Sequence, residues 1–247
     1  MIELKDFTIG FGKRKLLENI TETFPASSLI SLIGRNGTGK STLLRAMCGL
    51  NDKYSGEIFI NGLDVRKCSR LQLAHKIAFV NTKRPRIANL RCEDVVALGR
   101  SPFTDWIGRI SKADKEMVTD ALKSVKMEEF ASRSLDSLSD GEAQRIMIAR
   151  AIAQDTDIII LDEPTSFLDL PTRFEIVELL KELSHSEGKT IIFSTHELDI
   201  AVEMCDQISL IDNSHLHLLP VDRMISAGHL QRLFPLPSNY LDRLLNK

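Results

Sequence analysis

The sequence predicts an α/β fold in which a mostly parallel sheet is interrupted by a block of helices. Three observations predict it. The short apolar runs "LISLI" (29–33) and "IIIL" (158–161) have the character of strands covered on both faces, as parallel sheets require. From about residue 83 to about 154 the apolar spacing becomes helical, in "CEDVVALGR", "KADKEMVTDALKSV" and "DGEAQRIMIARAIAQ". Strands and an amphipathic helix then alternate again toward the C-terminus.

Taken in order, "IELKDFTIGFG" alternates and reads as a strand. "SSLISLIG" is a buried strand, and "GKSTLLRAMCGL" is a helix stopped near Gly49. "GEIFING" is a short strand closing on an Asn-Gly turn, and "KIAFVN" is another strand. After the helical block, "DIIILDEP" and "KTIIFSTHE" are strands. The helix "TRFEIVELLKELSHSEG" between them ends at Gly188. "QISLIDN" is one more strand, and "MISAGHLQRLF" reads as one small helix. No repeat or low-complexity linker divides the chain, so residues 1–247 are read as one domain with the block 83–154 inserted.

Hydrophobic residues make up 43% and charged residues 27%, the profile of a soluble globular protein. The net charge of −2 supplies no basic field for nucleic acid. No apolar run approaches the roughly 20 residues that span a bilayer. "MIELKDFTIG" lacks a basic-then-apolar leader, which gives the expectation of a cytoplasmic protein. Cys48, Cys68, Cys92 and Cys205 have neither metal-knuckle nor redox spacing and are read as reduced thiols. His215 and His217 alternate with leucines in "HLHLL", as on one face of a strand rather than in a metal site.

Gly34 to Ser41 fits G-x-x-x-x-G-K-[ST], with a strand before it and a helix after it. Glycines let the backbone wrap an anion, and successive N–H groups and the helix N-terminus point at it. Gly34, Arg35, Asn36, Gly37, Thr38, Gly39, Lys40, Ser41 and Thr42 are therefore the expected ATP-binding loop. Lys40 reaches the β and γ phosphates, and Ser41 offers its hydroxyl to Mg²⁺. No Asn-Lys-x-Asp guanine reader follows, so a GTPase is disfavoured. "IIILDEP" ends a strand in Asp162 and Glu163. Asp162 is the expected second Mg²⁺ partner, and Glu163 the group that orients or deprotonates the attacking water.

"LSDGEAQR" (138–145), which opens a helix in the inserted block, resembles the Leu-Ser-Gly-Gly-Gln signature of ATP-binding cassette (ABC) ATPases. Other features of that family stand in the expected order. Phe11 in "FGKRKLL" resembles the aromatic that stacks on adenine, Asp169 in "SFLD" the D-loop, and His196 in "STHE" the switch histidine. The resemblance covers nearly the whole chain. It implies a P-loop NTPase fold with a small antiparallel β part and a helical signature subdomain inserted in the core. It also implies ATP and Mg²⁺ as cofactors, with Glu163, His196 and Lys40 catalytic.

"VVALGRSPFTDWIGRISKAD" and "ISAGHLQRLF" further resemble the ATPase subunits of importers for iron-siderophores, haem and cobalamin. That resemblance implies a polytopic membrane permease, fed by a substrate-binding protein, with the chain peripheral on the cytoplasmic face of the inner membrane. It also implies a homodimer that sandwiches two ATP molecules. The signature facing across that implied dimer is Leu138, Ser139, Asp140, Gly141 and Glu142; at a helix N-terminus it is a second anion site, where Ser139 and the Gly141 N–H would serve the γ-phosphate of the neighbouring chain.

Three positions depart from the family. Asp140 replaces the signature's first glycine and Glu142 its glutamine, adding negative charge that must point away from a triphosphate. Thr82 stands where a Mg²⁺-sensing glutamine is expected, counting from "IAFVN" and back from Leu98-Gly99-Arg100. Its shorter reach implies contact through water. The basic stretch "TKRPRIANLR" (82–91) is either a solvated loop, the rim that docks a permease helix, or a lipid contact. Two other functions compete with import. A translation or repair ATPase would carry a second cassette or a long coiled coil, and an exporter is often fused to its permease.

Overall fold

The computed structural model describes residues 1–12, 14–82, 89–105 and 108–234. Two sheets organise it. The smaller is antiparallel: β1 (Ile2–Phe11) lies between β2 (Arg14–Phe24) and β4 (Tyr54–Ile60), with β5 (Leu63–Asp64) beyond β4. The larger contains β3 (Leu29–Gly34), β6 (Ile77–Val80), β7 (Ile158–Leu161), β8 (Thr190–Ser194), β9 (Gln207–Asp212) and β10 (His215–Pro220). Its order is β10-β9-β3-β8-β7-β6, parallel throughout except for β10 against β9.

Every residue of β3, β7 and β8 is buried, as expected of central parallel strands covered on both faces. Alternate side chains feed different cores. Ile158 and Ile160 of β7 pack with Phe7, Phe24, Leu43 and Leu44 beneath the antiparallel sheet. Ile159 and Leu161 pack on the opposite face with Ile146, Ile148, Val177 and Leu180. Those residues belong to α5 (Asp140–Ala153) and α6 (Leu170–Glu187). Before them come α1 (Lys40–Met47), α2 (Arg70–Ala74), α3 (Cys92–Ala97) and α4 (Lys112–Ser124). After them come α7 (Leu198–Met204), α8 (Val221–Ser226) and α9 (His229–Leu233).

The helical block is pinned by a buried ion pair. Arg100 Nε donates to Asp114 Oδ1 (2.8 Å), and its guanidinium also donates to the Ala153 carbonyl (2.9 Å) and lies 4.0 Å from the centroid of the Phe103 ring. Asp114 in turn completes a capping box with Ser111 at the start of α4. The Ser111 hydroxyl, then Arg100, holds the Asp114 carboxyl below its usual pKa.

Two elements differ from the sequence reading. β2 carries no alternating signal: its buried Leu17, Ile20 and Phe24 are spaced like a helix face. Register shifts along its pairing with β1 and a left-handed Asn19 (φ 51°) break the period of two. The tail segment expected as one helix is two. Gly228 (φ 70°) turns the chain between α8 and α9, a conformation that favours glycine.

Candidate functional site

Spatial strand order assembles the site. β3, β8, β7 and β6 are neighbours, so the segments leaving their C-terminal ends lie side by side. Those segments are Gly34–Ser41, Ser194–His196, Asp162–Glu163 and Thr82 respectively. Residues far apart in sequence thus meet along one edge of the sheet.

An open cleft of about 660 Å³ runs along this edge, lined by Phe11, Arg14, Leu16, Asn36, Gly37, Gly39, Lys40, Ser41, Thr42, Glu163 and His196. Gly39 at φ 109° turns the loop into α1 against Leu16, a backbone angle closed to other residues. Lys40 opens that helix. It is buried, and its Nζ donates to the Gly34 carbonyl (2.9 Å). Burial lowers the Lys40 pKa, against the opposing pull of Glu163 and Asp162. Phe11, at the end of β1, is 65% exposed and forms an aromatic wall.

Two expected loop side chains, of Arg35 and Thr38, turn away from the cleft, and Gly34 meets it only through Lys40. The Gly34 carbonyl holds Lys40, the Thr38 hydroxyl donates to the Arg35 carbonyl (2.8 Å), and the Arg35 guanidinium donates to the Leu233 carbonyl (3.1 Å). Arg35 and Thr38 border a separate hollow with Asp212 and Arg232. Their contribution to the cleft is backbone shape, not side-chain contact.

The acid pair forms a dense network. Asp162 is buried, and its Oδ1 accepts hydrogen bonds from the hydroxyls of Ser41 (2.9 Å) and Ser194 (2.8 Å). Ser41 Oγ and the Asp162 carboxylate thus present adjacent hard oxygens of the kind Mg²⁺ takes. Among the described residues no three His, Cys, Asp or Glu side chains gather as a metal cage. Glu163 sits in the left-handed region (φ 50°), its N–H donates to Ser194 Oγ (2.8 Å), and its Oε2 accepts from the Ser166 hydroxyl (3.0 Å). The Thr82 hydroxyl donates to the backbone carbonyl of Asp162 (2.8 Å). This gives the hydroxyl a protein partner that its sequence position did not suggest. The basic residues Arg84 and Arg86 lie outside the described residues.

The signature segment is not in this cleft. Ser139, Asp140, Gly141 and Glu142 line a different groove of about 430 Å³, together with Phe167, Asp169 and Thr172. Leu138 packs on the adjoining core. Ser139 caps α5, and its hydroxyl and N–H both donate to Glu142 Oε2 (2.7 and 2.8 Å). These bonds pull the Glu142 carboxyl below its usual pKa. Glu142 therefore turns its charge onto its own helix cap. A Cβ on Gly141 would stand 2.7 Å from Thr172 Cγ2, so glycine there permits the approach of α5 to α6. Asp169 caps α6 by accepting the Thr172 N–H (3.0 Å).

Sequence reasoning missed Arg14, Leu16, Ser166 and Ser194. Arg14 donates to the Gly37 carbonyl (3.3 Å) and lines the cleft. Ser194 lies two residues before His196, inside a stretch read only for its histidine. A hydroxyl ending the apolar run 191–193 was its available signal.

Comparison with known proteins agrees with this geometry. The ABC transporter family matches residues 17–166. The petrobactin import ATP-binding protein YclP of Bacillus subtilis (strain 168) is 36% identical over 95% of this chain and 92% of its own length. A metal-chelate type ABC transporter solved in an inward-facing conformation superposes with a TM-score of 0.84 at 26% identity, covering 96% of this chain and 89% of that one. An ATP-binding cassette solved as a dimer in a post-hydrolysis state, with ADP and Pi bound, superposes with a TM-score of 0.76 at 28% identity, covering 90% and 99%. A nucleotide-binding loop, an acid pair and a signature helix in one ABC ATPase architecture lead to one conclusion: the chain belongs to the ABC transporter family, as a transport-coupled ATPase resembling the ATP-binding proteins of siderophore importers.

Proposed function

We propose that the chain energises uptake of an iron-siderophore through a separate membrane permease, by hydrolysing ATP in the cleft bounded by Phe11, Lys40 and Glu163. The single observation that carries the chemistry is the meeting of Lys40, Ser41, Asp162 and Glu163 at one sheet edge. Phe11 stacks on the adenine. The loop N–H groups and Lys40 hold the β and γ phosphates. Ser41 and Asp162 hold Mg²⁺, which when bound neutralises charge developing on the phosphate oxygens. Glu163 accepts a proton from a water whose oxygen bonds to the γ-phosphorus. The bond from that phosphorus to the β–γ bridging oxygen breaks, giving ADP and Pi. His196, exposed at the cleft wall, faces the γ-phosphate end.

The active unit in this reading is a homodimer. The Lys40 cleft and the Ser139 groove are separate hollows on one chain, which supports a second copy bringing its groove to the triphosphate. Phe167, 85% exposed, and Leu170, 58% exposed, stand beside the Ser139 groove as apolar surface suited to a second copy. Mixing Ser139→Arg chains with Lys40→Ala chains tests this. In a mixed dimer one site joins the intact loop of the first chain to the intact signature of the second, so ATPase activity absent from either variant alone should return. Hydrolysis that stays first order in monomer, with no return on mixing, would sink the sandwich.

The cargo reading follows the named relative, whose printed role is petrobactin import; haem and cobalamin-type cargoes remain in the same class. Among the described residues no helix is long and apolar enough to cross a membrane; in this reading a permease supplies the pathway. We place the chain on the cytoplasmic face of the inner membrane, with a substrate-binding protein acting through the permease. Affinity capture of the tagged chain from detergent-solubilised membranes should recover a polytopic permease. Recovery of ribosomes or DNA-repair factors instead would favour a soluble ATPase.

A further inference from the structure

We propose that Thr82 and Ser194 are positioning residues that clamp the Asp162–Glu163 peptide and so aim the Glu163 carboxylate into the cleft. The inference rests on Glu163 being the base proposed above. Both polar atoms of this one peptide are held by hydroxyls. Its carbonyl accepts from Thr82 Oγ1 (2.8 Å), and its N–H donates to Ser194 Oγ (2.8 Å). Ser194 gives its own proton to Asp162 Oδ1 (2.8 Å), the atom that also accepts from Ser41 (2.9 Å). The serine thus ties the direction of the base to the carboxylate beside the phosphate loop. Ser194 is fully buried, so no bulk water stands in for it.

A left-handed residue other than glycine explains why a clamp is needed. The chain runs extended through β7, with the Asp162 N–H bonded to the Val80 carbonyl, and then turns at Glu163 (φ 50°). That conformation is disfavoured for a glutamate unless its surroundings hold it. Released from either hydroxyl, the peptide can relax toward extended geometry. The carboxylate then leaves the cleft it shares with Lys40 and Ser41. Thr82 follows β6, where the chain departs for the helical block, so a shift at that junction reaches the base through one hydrogen bond.

The experiment is a set of double-mutant cycles measured as kcat, KM for ATP and half-activating Mg²⁺ concentration. Thr82→Val keeps the side-chain shape and removes the hydroxyl. It should lower kcat about fivefold, the size of one ordinary hydrogen bond. Ser194→Ala loses two bonds and should lower kcat about tenfold or more. For Thr82→Val the KM and the Mg²⁺ requirement should stay within about twofold, while Ser194→Ala, which also frees Asp162 Oδ1, should raise the Mg²⁺ requirement; Thr82→Ser should restore kcat. In a Glu163→Gln background Thr82→Val should not lower single-turnover hydrolysis further, because the group it aims is gone. Equal losses with and without Glu163 would overturn the proposal, as would a raised Mg²⁺ requirement in Thr82→Val or failure of Thr82→Ser to rescue. Ordinary turnover by Glu163→Gln itself would instead overturn the functional reading.

Discussion

Glu163→Gln should bind ATP with near-native affinity and hydrolyse it about 10²–10⁴-fold more slowly, the usual loss for a general base. The amide keeps the size of the side chain and still accepts from Ser166, so the left-handed turn at Glu163 persists. What it removes is the capacity to take a proton from water as the bond to the γ-phosphorus forms. Lys40 and the loop backbone, which hold the phosphates in this reading, are untouched. ATP that binds but does not react holds the two copies together by mass action. Size-exclusion chromatography should therefore show an ATP-dependent dimer in the variant and a smaller species without nucleotide. Single-turnover kinetics with labelled ATP supply the rate. Normal turnover would remove Glu163 from the mechanism.

Lys40→Ala should weaken ATP binding by about 10²-fold or more, the size of a lost charge-assisted contact to phosphate. Folding gives a control. Burial lowers the Lys40 pKa, which means the fold disfavours its charge. Lys40→Ala removes that burial cost together with the bond to the Gly34 carbonyl, so the nucleotide-free variant should melt close to the parent. Calorimetric titration and a thermal melt on the same sample separate the two effects. Tight ATP binding by the variant would count against the loop as the triphosphate site. A large drop in the nucleotide-free melting temperature would mean that the Lys40 bond to Gly34 is chiefly structural.

Much of the molecule was legible in the chain because local physics wrote it there. β3, β7 and β8 are buried on both faces, so their residues had to form apolar runs. In the proposed function the loop at 34–42 lets backbone N–H groups converge on an anion, a task that calls for its glycines and lysine at fixed spacing. Helices α4 and α5 announce themselves through helical spacing of their apolar residues.

Other features belong to the tertiary structure alone. β2 was hidden because bulges destroyed its period, and the α8–α9 break because one glycine's φ is not written in apolar spacing. The clamp on the Asp162–Glu163 peptide exists only because β6 and β8 flank β7. Thr82 and Ser194 are ordinary hydroxyl residues until the sheet order sets both against that peptide. Glu142 carries a charge that sequence could only count, and the capping geometry decides that it closes on Ser139. Short-range patterning thus fixed the strands and the phosphate loop. Strand order, which depends on contacts between distant segments, decided which side chains share the cleft and what holds the Asp162–Glu163 peptide beside it.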